Sequence, residues 1–120
     1  MFKIVPAPEF TCQVLLSRPD DELPVKLQAR FRHKTQRQLD AWFAAVQRKV
    51  MEAGATDTDL AVVDAIHEVL VDLGPLADGE GHLVPYSREV LAQLIDNFPA
   101  ATPELARQYR QRLTDARLGN

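Results

Sequence analysis

The sequence predicts an α+β fold, an N-terminal β-hairpin packed on a bundle of about four α-helices. Three observations carry this. Apolar and polar residues alternate up to about residue 31, the period then becomes helical, and the two patterns are segregated along the chain instead of interleaved. A length of 120 residues suits a single domain spanning 1–120. The hydrophobic and charged fractions, 46% and 26%, are those of an ordinary globule and argue against wholesale disorder.

Residues 1–9 hold Pro6 and Pro8 and read as an extended lead-in. Phe10, Cys12, Val14 and Leu16 then form one face of a half-buried strand. The turn formers Ser17-Arg18-Pro19-Asp20-Asp21 follow, and a second strand presents Leu23, Val25, Leu27, Ala29 and Phe31 inward. A lone hairpin is marginal in water, so helices are expected to cover it. Thr35-Gln36-Arg37-Gln38 is a capping-box sequence, followed by the stripe Leu39, Trp42, Phe43, Val46 and Val50, with Gly54 as its stop. Thr56 with Asp59 starts a second helix, whose apolar run from Leu60 through Leu73 leaves only a narrow polar strip and marks it as central; Gly74-Pro75 ends it. Residues 74–86 read as an acidic, glycine-rich loop. Ser87 caps a third helix carrying Val90, Leu91, Leu94, Ile95 and Phe98, closed by Pro99. Thr102-Pro103-Glu104 reads as N-cap, first helical proline and dipole-facing acid of a fourth, with Leu105, Tyr109, Leu113 and Ala116 on its face.

Local chemistry is sparse. His33, His67 and His82 fall on a strand end, a helix and a loop, at no metal-binding spacing, and Cys12 lies in register with the inward strand face, where a core thiol is expected. With one cysteine there is no internal disulfide, and nothing here implies secretion. Asp78-Gly79-Glu80-Gly81 lacks the ligand alternation of a calcium loop and the lysine of a phosphate loop. No cofactor or metal is expected. A small enzyme using His82, Asp78 and Tyr86 in the 74–86 loop stays open as an alternative.

Charge is more telling. From Leu23 to Leu39 there are five cations, Lys26, Arg30, Arg32, Lys34 and Arg37, and no acid; from Glu52 to Glu80 there are eight acids and no lysine or arginine. Such lopsidedness suits oriented association with a protein partner, self-association included. The cationic strip, Arg30, Arg32, Lys34 and Arg37, is also what a small nucleic-acid-associated regulator would use. Against that stand the net charge of −3 and the absence of interleaved aromatics. No run approaches the ~18 apolar residues of a membrane span, and the N-terminus lacks a signal-peptide core, so no membrane partner is expected and the protein is expected to stay where it is made.

These features in their order resemble the tail assembly chaperones of long-tailed bacteriophages. The likeness rests on the basic strand ending in Phe31-Arg32-His33-Lys34-Thr35 and on Asp72-Leu73-Gly74-Pro75-Leu76. It continues through Asp78-Gly79-Glu80-Gly81, Val84-Pro85-Tyr86-Ser87, Val90-Leu91-Ala92-Gln93-Leu94, Asn97-Phe98-Pro99-Ala100 and the stretch from Tyr109 to Asn120. Leu73 stands where many relatives are expected to carry tryptophan. The resemblance implies a non-enzymatic assembly factor in the host bacterial cytoplasm. Such a factor coats the tape measure protein, recruits tail tube protein and leaves before the virion is finished; the polypeptide looks like the short form of a gene that in many phages also yields a frameshifted longer one. A tape measure helix exposes apolar stripes, and a groove is expected to bury them. Its expected lining is Val62 and Val69 on the central helix and Leu15 on the outer strand face, with core burial of all three as the competing expectation.

Overall fold

The computed structural model describes residues 2–52 and 58–115. Strands β1 (Glu9–Arg18) and β2 (Asp21–Arg32) form the predicted antiparallel hairpin, with Phe10 opposite Phe31, Cys12 opposite Ala29 and Val14 opposite Leu27. Alternation works as predicted in its middle: Cys12, Val14 and Leu16 are buried on β1, and Leu27, Ala29 and Phe31 on β2. It fails at the tip. Leu23, expected inward, is 73% exposed, because no described element covers that end of the hairpin.

The capping box forms. The Gln38 N–H donates to Thr35 Oγ1 at 3.3 Å and the Thr35 N–H to Gln38 Oε1 at 3.0 Å, and helix α1 (Gln36–Glu52) follows. It buries Leu39, Trp42 and Val46, and the Trp42 indole N–H donates to the Ala65 carbonyl at 2.9 Å. The expected stop at Gly54, the start at Thr56 and the chain end from Ala116 lie outside the described residues.

The apolar run after residue 60 is not one long helix. Helix α2 (Thr58–Val69) stops at Val69, and Leu70–Gly74 forms strand β3, which pairs antiparallel with β2 and completes a three-stranded sheet in the order β1-β2-β3. A continuous apolar run cannot distinguish buried helix from buried strand by period, and here the open edge of β2 decides the matter. A bulge between Arg30 and Phe31 sets Arg30 opposite Asp72 but Phe31 opposite Leu70, leaving Val71 without a partner residue on β2. Leu70 and Leu73, three positions apart, would face opposite sides of a regular strand; the extra residue lets both be buried, at 0% and 2% exposure.

The predicted loop 74–86 contains a second, two-stranded hairpin, β4 (Leu76–Ala77) with β5 (Leu83–Val84). Asp78 organises its turn: Oδ1 accepts from the N–H groups of Glu80 and His82, both at 2.9 Å, and Gly81 takes φ +86°, a region open to glycine. Ser87 caps helix α3 (Arg88–Asn97) as expected, accepting from the Val90 N–H at 3.1 Å, and Leu91 and Ile95 are buried.

Helix α4 (Ala101–Thr114) starts earlier than the sequence suggests. Ala100, already helical at φ −65° and ψ −17°, occupies the cap without a side-chain hydrogen bond, and Thr102 and Pro103 fall in the first turn. Proline is tolerated there because the first N–H groups of a helix lack intrahelical partners in any case. Thr102, freed from capping, is buried with its Oγ1 unpaired.

Tyr109 joins these elements. Fully buried, its ring lies 4.8 Å from Phe31 and 5.1 Å from Trp42 between centroids, and its hydroxyl donates to the Arg32 carbonyl at 2.6 Å.

Candidate functional site

Of the residues singled out for catalysis, His82 and Asp78 lie together, while Tyr86 makes its hydrogen bonds elsewhere. The Tyr86 hydroxyl donates to the Leu70 carbonyl at 3.2 Å and lies 2.8 Å from His67 Nδ1, so it accepts from the Nδ1–H tautomer of that ring. Burial raises the Tyr86 pKa, and the Asp72 carboxylate adds to the effect. This contact fastens the region after β5 to the junction of α2 and β3. His82 instead lies at the tip of the β4–β5 hairpin, 3.7 Å from Asp78 and 3.5 Å from Glu80, and largely exposed. Cys12 is a core thiol whose pKa burial raises, partly offset by Arg112. Among the described residues no cluster of histidine, cysteine and carboxylate side chains could hold a metal ion, and no helix is long and apolar enough to cross a membrane.

The expected contact residues separate. Val62 and Val69 are 3% and 1% exposed, buried on α2, whereas Leu15 is 40% exposed and leaves β1 on the side opposite its buried neighbours Val14 and Leu16. The three therefore line no common groove. Helices α3 and α1 pack against α2, and among the described residues its valines are closed off by that packing. The cations divide as well. Arg30 and Arg32 both reach Glu9 on β1, at 3.6 and 3.9 Å, while Lys34 turns to Glu68 of α2 at 4.0 Å. Arg37 lies exposed in the first turn of α1.

An open apolar surface does exist, elsewhere. The C-terminal half of α1 and residues Thr102 to Gln111 of α4 line a cleft of about 750 Å³. One wall is Phe43, Gln47 and Met51, every fourth residue of α1; the other runs through Thr102, Ala106 and Arg110, with Pro103, Arg107 and Gln111 beside them. Met51 is 84% exposed, and the Arg110 guanidinium lies 4.9 Å from the Phe43 ring centroid. No acid lines the cleft among the described residues, and none pairs with Arg107 or Arg110. Sequence reasoning missed this site. Its trace was Met51, which lies off the buried stripe of α1, and the arginines spaced along a helix otherwise read for its apolar face.

The opposite side of α4 covers the free edge of β1. Gln108 pairs with Leu15 as a neighbouring strand would: its Oε1 accepts the Leu15 N–H at 2.8 Å and its Nε2 donates to the Leu15 carbonyl at 2.7 Å. One turn back, the Glu104 carboxylate accepts from the Ser17 N–H at 3.1 Å and from the Ser17 hydroxyl; one turn on, Arg112 reaches the Cys12 thiol. The spacing is geometric. Four helical residues advance about 6 Å and two strand residues about 6.7 Å, so Glu104 and Gln108 keep step with Ser17 and Leu15. Exposed strand edges invite pairing with other chains, and here a side-chain ladder occupies the edge.

A family model described as phage tail assembly chaperone matches residues 1–120, the whole chain. Among curated proteins and solved structures none matches. With a match over its full length, the chain belongs to the phage tail assembly chaperone family.

Proposed function

We propose that this chain binds the tape measure protein in the host bacterial cytoplasm, keeps its apolar helices from aggregating, helps to recruit tail tube protein, and is absent from the finished virion. It does so by binding, without catalysis. The observation that carries this reading is the full-length family match; the cleft between α1 and α4, where Met51 stands exposed beside Phe43, offers a surface for such a partner. Leu15, Arg30, Arg32, Lys34 and Arg37 remain at least partly accessible to a partner or to a second copy, while Val62 and Val69 are accessible to neither in the folded chain. Glu9 and Glu68 lie within 4.0 Å of Arg30, Arg32 and Lys34, so part of that strip's charge is already compensated. Disruption of the gene in its phage should give heads without tails, restored by supplying the chain in trans, and mass spectrometry of purified particles should find tape measure and tube proteins but not this chain. Intact tails from the disrupted gene, or the chain at stoichiometric level in particles, would overturn the proposal.

A further inference from the structure

The cleft between α1 and α4 also specifies the chemistry of its occupant. We infer that it receives an amphipathic helix from another protein, apolar along one ridge and acidic on one flank. The inference rests on the reading of this chain as a protein-binding assembly factor and deepens it.

Shape indicates a helix. Both walls are built from residues repeating every four positions, Phe43, Gln47 and Met51 on α1 and Pro103, Arg107 and Gln111 on α4. From Phe43 to Met51 the α1 wall is about 12 Å long at 1.5 Å per residue, which accommodates roughly two turns of a third helix lying between the two. The apolar groups open to such a helix are Phe43, Met51 and Pro103, with Val46 and Ala106 buried beneath them, which suits a short run of i, i+3 and i+4 anchors.

Charge indicates its flank. Arg107 and Arg110 stand along the α4 side with no carboxylate partner among the described residues, and the Arg110 guanidinium is held over the Phe43 ring. An acidic flank would meet both arginines at the rim, and a basic one would be repelled. A second copy of this chain is a poor donor. Its helices already bury their apolar stripes in their own core, Leu39, Trp42 and Val46 on α1, Leu91 and Ile95 on α3.

Two fluorescent helical probe peptides test this, sharing a leucine ridge and differing only in glutamates or lysines on one flank. Fluorescence anisotropy against the full chain should show the glutamate peptide binding more tightly by about fivefold or more, as expected of two rim charges. In Arg107→Glu/Arg110→Glu the preference should invert. Gln47→Glu/Met51→Glu, at exposed positions on the α1 wall, should weaken the glutamate peptide without loss of far-UV helicity. Equal binding of both peptides, binding of neither, or a preference unchanged in both double variants would overturn the inference. Co-expression with the tape measure protein separates the two levels. If the wild-type chain and the charge-reversed variant both solubilise it, the chaperone reading stands and the cleft is not the docking site. If neither does, the chaperone reading itself fails.

Discussion

The ladder between α4 and β1 makes a quantitative prediction. Gln108→Ala removes two hydrogen bonds to the Leu15 backbone, at 2.8 and 2.7 Å, and a third from Nε2 to the Glu104 carbonyl at 3.0 Å. A net hydrogen bond contributes about 0.5–1.5 kcal/mol, and a buried donor left unpaired costs more. Leu15 is 40% exposed, so water can replace the lost amide and the lower end of that range applies. Two strand-edge bonds then amount to about 1–1.5 kcal/mol, which lowers Tm by roughly 4–6 °C in a domain of this size. Gln108→Glu is the sharper variant. It keeps length and helix propensity but loses the donor, setting a carboxylate against the Leu15 carbonyl, and should cost at least as much as alanine. Chemical denaturation with matched m-values measures both, with Arg107→Ala, one position along the same helix, as the control. An uncovered edge should also raise self-association, visible by light scattering as a mass that grows with concentration. Gln108 variants as stable and as monodisperse as the control would refute the claim that this ladder holds and protects the edge.

Three further outcomes follow from the same contacts. Thr102→Val replaces the unpaired, buried Oγ1 with a methyl group of nearly the same shape and should stabilise the fold by about 1 kcal/mol in urea denaturation; a loss of stability would mean that the hydroxyl has a partner. Tyr109→Phe removes the hydroxyl bond to the Arg32 carbonyl and should cost about 1–1.5 kcal/mol while leaving the near-UV aromatic signature largely intact. Burial raises the pKa values of Cys12, Tyr86 and Tyr109 above ordinary values of 9.0, 10.0 and 10.0. In the unfolded chain these groups release protons at lower pH than in the folded one, so stability should be flat through neutrality and fall as pH rises above about 9. A stability that rose across that range would contradict the burial of all three.

Much of the fold was legible because local signals agreed with the tertiary ones. The Thr35–Gln38 box, the Ser87 cap and the alternation through Cys12, Val14 and Leu16 all appear as read. The errors share a cause. Leu70–Gly74 becomes a strand because β2 has a vacant edge about forty residues upstream, and no local period encodes that. Thr102 loses the cap because Pro99 and Ala100 already form a turn, closed by the Ala101 N–H bonded to the Phe98 carbonyl at 2.9 Å, and Ala100 is helical. The candidate site was the least legible part. The expected groove placed Val62 and Val69 on an open helix flank, and the packing of α3 and α1 on α2 buries both. The cleft between α1 and α4 depends on how those two helices pack, which no local period encodes.

The measurement closest to the central claim is co-expression of this chain with the tape measure protein, read as the fraction of that partner in the soluble phase and bound to the tagged chain. That partner should be insoluble alone, and soluble and co-purifying when this chain is present. A partner that stays in the pellet and unbound beside a folded, soluble chain would contradict it.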